Sequence, residues 1–139
     1  MMFNNSILVK TNEFKNKLEV LKYISECIEE KSSMDKNLAL AQLKQREELG
    51  YTTFNQIAIP HILDPVDSDS FSVIIILDKH IKWNSQNVRL IYSLVVGKEH
   101  ADMSLYYEKL GNFLSSPSAV KDVLDVENPM EFMKVFLNA

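Results

Sequence analysis

Three histidines, His61, His80 and His100, are the residues of this chain best suited to chemistry at neutral pH. An unperturbed imidazole titrates at about pH 6.5, so at pH 7 one ring nitrogen is free to act as nucleophile or base. Other chemistries are poorly provided for. A single cysteine, Cys27, excludes an intrachain disulfide and a Cys-rich zinc site. No His-x-x-x-His or other metal-ligand spacing occurs. The three glycines, Gly50, Gly97 and Gly111, are too scattered for a dinucleotide fingerprint or a P-loop. No serine stands in Gly-x-Ser-x-Gly. Glu47-Glu48 reads as a helix face, and Asp67 and Asp69 as solvated loop residues. The expectation is a domain with no metal and no bound cofactor.

The histidines differ in address. His61 follows a short apolar run, Ile57-Ala58-Ile59, closed by Pro60, and begins the loop 62–70. A reactive group at a strand end is held by the sheet and exposed by the loop. His80 lies in the polar stretch 78–82 and reads as a solvated turn residue. His100, in Gly97-Lys98-Glu99-His100-Ala101-Asp102, stands at the start of a tyrosine-bearing helix.

The elements that must position these rings follow from periodicity. Leu18, Leu21, Ile24 and Ile28 recur at helical spacing with charged residues between them. Cys27, inside that pattern, reads as packing. Ser32-Ser33 breaks the helix. A second helix places Leu38, Ala41 (or Leu40) and Leu43 on one side, and Gly50 is suited to end it. Residues 71–77 and 88–96 are apolar on both faces, as in buried strands, and 78–87 reads as polar connection. Met103, Tyr106, Leu110, Phe113 and Leu114 trace one face of a later helix. Ser116-Pro117 and Asn128-Pro129 each put a cap residue before a proline, and Glu131 follows Asn128 by three, as in a capping box. Helices before and after apolar strands predict one α/β domain over 1–139, with helices on the sheet faces. Trp83 reads as a packed loop aromatic.

Composition narrows the partners. Fifteen basic residues against nineteen acidic give a formal charge of -4, which disfavours non-specific nucleic-acid binding. The longest apolar run, 73–77, is far short of the ~20 residues of a spanning helix. A free thiol and the absence of an export signal point to a cytoplasmic chain with no membrane insertion.

One segment is more specific. Arg46-Glu47-Glu48-Leu49-Gly50-Tyr51-Thr52-Thr53-Phe54-Asn55-Gln56-Ile57-Ala58-Ile59-Pro60-His61 resembles the phosphorylation-site signature of the mannitol/fructose-type enzyme IIA domain of the bacterial phosphotransferase system. The resemblance extends over nearly the whole chain. It implies a mixed central sheet flanked by helices on both faces. It also implies a relay in which a histidine takes phosphate from HPr and passes it to an enzyme IIB. By position, His61 is the phosphorylated residue, Arg46 the phosphate-stabilising arginine, and Thr52 fits the threonine position, with its gap from Arg46 one residue shorter than usual. Gln56 stands where a small residue is common. Family members often carry a second histidine at the start of a later helix. Counted from one side His100 takes that place, and counted from the other Met103 does.

The chemistry fits these roles. Neutral imidazole attacks through one nitrogen while the other holds a hydrogen bond that fixes the tautomer. Transfer then needs positioning and charge stabilisation, which an always-charged, forked arginine supplies. The stretch 81–96 with the following helix also resembles enzyme IIA-like domains of sugar-operon antiterminators and activators. The alternative expectation is a non-catalytic module that senses phosphotransferase proteins without turning over phosphate. An apolar rim around His61, formed by Ile62 and Phe54, is expected to dock partners.

Overall fold

The longest strand alternates its apolar residues between two cores, and the rest of the fold is arranged around it. In the computed structural model, which describes residues 6–50, 52–98 and 103–139, this strand is Phe71–Trp83. Its Val73, Ile75 and Leu77 enter one apolar cluster, while Ile74 and Ile76 enter a second on the opposite face. Successive side chains in a strand point to opposite faces, so a strand covered on both sides is apolar throughout.

In chain order the elements are β1 (Ile7–Thr11), α1 (Lys17–Lys31), α2 (Lys36–Glu48), β2 (Thr53–Phe54), β3 (Ile57–Ala58), β4 (Phe71–Trp83), β5 (Gln86–Val95), α3 (Ser104–Leu114), α4 (Pro117–Val123) and α5 (Pro129–Leu137). The sheet order is β1-β4-β5-β3-β2. β1 runs parallel to β4, β5 antiparallel to β4, β3 parallel to β5, and β2 antiparallel to β3. This is a mixed sheet with helices on both faces. Val20, Ile24 and Ile28 of α1 and Ala39 and Leu43 of α2 fill the first core. Tyr106, Phe113, Phe132 and Phe136 from α3 and α5 fill the second. Each fully buried valine, leucine, isoleucine or phenylalanine among them contributes roughly 1.5–3 kcal/mol.

Local chemistry sets the helix ends. Asn16 and Asp35 cap α1 and α2 by accepting amides of the first turn. Ser116 accepts from Ala119 N and Asn128 from Glu131 N, each with proline in the first turn. Glu131 reaches back to Glu127 N, so the reciprocal bond of the capping box lands one residue before the cap. Leu49 ends α2, and Gly50 follows with φ 154.

Three expectations change. The polar stretch 78–87 is not a connection: β4 continues through His80 to Trp83, and a two-residue turn with Asn84 at φ 57 leads into β5. Asp78, Lys79 and His80 are exposed and fall where the β4–β5 register shifts, between Ile76 and Ile81. Trp83 is therefore a buried strand residue. The buried stripe of α2 is Ala39, Gln42 and Leu43, with Leu38 exposed. Gln42 is drawn inward by backbone groups it serves, described below. Finally, the N-terminal third contains a strand, β1, paired in parallel with β4. Cys27 is packed in the first core.

Candidate functional site

His61 is the third residue after β3. The pairing of β3 with β5 and the buried Pro60 fix the backbone that presents the ring. The turn between β2 and β3 has Asn55 in the left-handed region at φ 57, followed by Gln56. Gln56 O accepts the amides of Arg89 and Leu90, which ties this turn to β5.

Both ring nitrogens are engaged. Arg46 Nε donates to His61 Nε2 at 3.0 Å. His61 Nδ1 lies 3.0 Å from Ile59 O. Arginine can only donate, and a carbonyl can only accept. The two contacts are satisfied together by one species: neutral imidazole with its proton on Nδ1 and its lone pair on Nε2. Arg46 reaches the ring from the last turn of α2. Among the described residues no carboxylate lies within 4.0 Å of its guanidinium, so that charge is not committed to an ion pair.

Glu47, the next residue, faces inward. Its side chain is only 4% exposed. Oε2 accepts from Thr52 Oγ1 at 2.5 Å, and Oε1 accepts from Trp83 Nε1 at 2.8 Å and from Lys17 Nζ at 3.0 Å. The Lys17 ammonium also lies 5.7 Å from the Trp83 ring centroid. Gln42, one turn earlier on α2, holds the other flank. Its Oε1 accepts the amides of Leu63 and Asp64 at 3.2 and 3.1 Å, and its Nε2 donates to Asp64 Oδ2 at 3.0 Å.

A cavity of about 660 Å³ opens beside the ring, bounded among others by Arg46, Thr52, His61, Asp64, Tyr106 and Leu110. Its mouth carries the exposed side chains Leu49, Phe54, Leu63 and Tyr107. Ile62 is not part of that rim. It is 8% exposed and belongs to the first core, because the loop turns it inward while Leu63 turns out.

The sequence-predicted residues separate accordingly. His61 and Arg46 are brought together. Thr52 is buried and bonded to Glu47 rather than to the ring. His80 is on β4, with Nε2 2.8 Å from Gln56 Oε1. His100 lies outside the described residues, and Met103 stands at the cap of α3. Glu47 and Gln42 were not singled out by periodicity. The signal for Glu47 was its place directly after Arg46 in the signature. For Gln42 it was a polar residue on an apolar stripe. Among the described residues no cluster of three His, Cys, Asp or Glu side chains could hold a metal ion. No helix there is long and apolar enough to cross a membrane.

The family description "Phosphoenolpyruvate-dependent sugar phosphotransferase system, EIIA 2" matches residues 1–139. The chain belongs to this family. This EIIA 2 chain is 31% identical over 126 residues to the probable licABCH operon regulator of Bacillus subtilis (strain 168). That match covers 89% of the chain and spans about a fifth of the regulator's length, 20%. Solved structures share the fold at lower identity. The nitrogen regulatory protein IIA-Ntr of Neisseria meningitidis has 20% identity and a TM-score of 0.72, over 94% of this chain and 92% of that one. IIA mannitol of Escherichia coli has 15% identity and a TM-score of 0.68, over 98% and 99%. The complex of enzyme IIA mannitol and phosphorylated enzyme IIB mannitol from Escherichia coli matches with 14% identity and a TM-score of 0.72, over 100% and 99%. The mixed sheet flanked by helices is thus the EIIA mannitol-type fold.

Proposed function

We propose that this EIIA 2 chain is a phosphoryl-carrier domain that accepts phosphate from HPr on His61 Nε2 and passes it to an enzyme IIB. The observation that carries the reading is the pair of contacts on the ring. They hold a neutral imidazole with its lone pair on Nε2 and a guanidinium beside that nitrogen.

The step follows from this arrangement. The Nε2 lone pair forms a bond to phosphorus as the donor's phosphorus–nitrogen bond breaks and its electron pair returns to the donor nitrogen. The ring gains positive charge, which polarises Nδ1–H toward Ile59 O. Arg46 must leave Nε2 as phosphorus arrives. Its fork then faces the phosphoryl oxygens, where charge-assisted bonds are strongest. In transfer to the enzyme IIB the Nε2–phosphorus bond breaks, its electron pair returns to Nε2, and a nucleophilic side chain of the acceptor bonds phosphorus. The cavity and its apolar mouth suit brief docking of successive partners, for which interfaces under about 1,200 Å² are typical.

The likeness to the licABCH operon regulator favours a regulatory setting, in which phosphorylation reports sugar supply. We take residues 1–139 as one such domain. A relay fed by phosphoenolpyruvate works where that compound is made, so the cytoplasm is its proposed location.

The test is incubation with phosphoenolpyruvate, enzyme I and HPr. The expected product is an acid-labile, base-stable phosphohistidine that His61→Ala abolishes. Label at the wild-type rate in His61→Ala would remove the site assignment. No label in the wild type, together with binding to HPr or an enzyme IIB, would make the chain a sensing module.

A further inference from the structure

Glu47 is the most buried carboxylate near the proposed site, yet it touches neither the ring nor the open cavity. Burying a carboxylate is costly unless it is fully hydrogen-bonded and paired. Here it takes three donors from three separate places: Lys17 at the start of α1, Thr52 before β2, and Trp83 at the end of β4.

The direction of each bond shows what this arrangement does. Glu47 can only accept, so the Thr52 hydroxyl hydrogen is spent on it. That hydroxyl has no hydrogen left for an incoming phosphoryl oxygen. Thr52 is therefore a strut. Its carbonyl accepts Ile59 N at 2.7 Å. The Ile59 carbonyl in turn accepts from His61 Nδ1 at 3.0 Å. The path Glu47–Thr52–Ile59–His61 ends on one ring nitrogen. The other nitrogen meets Arg46, the residue directly before Glu47. Both contacts of the imidazole thus trace back to one turn of α2. Lys17 supplies the counter-charge to Glu47, so that carboxylate does not draw the Arg46 guanidinium away from His61.

We infer that Glu47 is a positioning residue for His61, acting through Thr52 and Ile59 to hold the ring's Nδ1–H tautomer and its distance from Arg46. This rests on His61 being the phosphoryl acceptor.

The experiment uses Glu47→Gln, which keeps the shape but faces one of its donors with an amide NH2, and Thr52→Val, which removes only the hydroxyl. Imidazole nitrogen chemical shifts report the His61 tautomer directly, and label transfer from phosphorylated HPr reports the rate. Both variants are expected to move His61 from a single Nδ1–H form toward a tautomer mixture and to slow phosphorylation about 10- to 100-fold, the scale of a small misplacement. The double variant should be no slower than the slower single, because both act along one path. Wild-type shifts and rates in both variants would overturn the inference. So would slowed transfer with unchanged shifts, since Glu47 would then act elsewhere. If Glu47→Gln does not fold, Thr52→Val decides alone. A wild type that takes no label defeats the relay reading, while the shifts still judge Glu47.

Discussion

Arg46 Nε stands 3.0 Å from His61 Nε2 across fifteen positions of sequence. The nitrogen that carries the lone pair therefore already faces a cation before any phosphoryl group is present. Arg46→Ala should slow His61 labelling by about 100- to 1,000-fold, as when one aimed donor is removed from a charge-stabilising site. Arg46→Lys keeps the charge without the fork and should recover only part of this. Rapid-quench label transfer measures both, and equal rates in all three proteins would defeat the role given to the guanidinium.

Gln42 links α2 to the loop after His61 by accepting two successive amides, Leu63 N and Asp64 N. Gln42→Leu preserves volume but leaves both donors without their acceptor. The expected cost is about 1–3 kcal/mol, read as a lower urea midpoint with an unchanged slope. A midpoint within error of wild type would show that solvent replaces the side chain at no cost.

Gly97 lies where the loop 66–70 crosses the end of β5, and Val66 and Gly97 pair as an isolated parallel bridge. A Cβ at Gly97 would sit 2.1 Å from Ser68 O and 2.9 Å from Ser70 N, both backbone atoms. Backbone cannot rotate away as a side chain tip can. Gly97→Ala should destabilise by about 1–3 kcal/mol, the range for overpacking. Gly111→Ala meets nothing within 4 Å and serves as the control. Equal melting temperatures for the two would contradict the contact.

Alkaline pH should weaken the fold. Burial pushes the Cys27 thiol above its ordinary 9.0, and burial, then the neighbouring Cys27, pushes Tyr23 up from 10.0 to about 12. The folded chain keeps protons that the unfolded chain releases. This contribution is full below the unfolded thiol value and is lost as pH rises through the folded ones. Urea midpoints should be flat to about pH 8 and fall by about pH 10. Cys27→Ala should fall less over that range, and a steeper fall would reverse the assignment.

What could be read before the structure was mostly local. Ser116 and Asn128 cap helices by bonding amides three residues on, so their roles were visible in short stretches of chain. The two apolar strands declared themselves because both faces are covered. Polarity misled where burial was only partial. Asp78 to His80 continue β4 in solvent, and no pattern of apolar residues marks such a strand. The pairing of His61 with Arg46 rests on a resemblance in the sequence, and its 3.0 Å contact is set only by the fold. Glu47 was hidden for a different reason. Its partners Lys17 and Trp83 lie 30 and 36 positions away, and a carboxylate beside another on a helix looks solvated.

The shortness of β2 has its own consequence. The sheet ends beside the histidine in a strand of two residues, Thr53–Phe54, closed by a tight turn at Asn55. A long open edge would present a ladder of unpaired amides and invite another strand to add itself, whatever its sequence. An edge this brief gives a newcomer little main chain to grip. Selectivity on this flank must then come from the contours of side chains such as Phe54 and Leu49, and it can be retuned one residue at a time without disturbing the sheet.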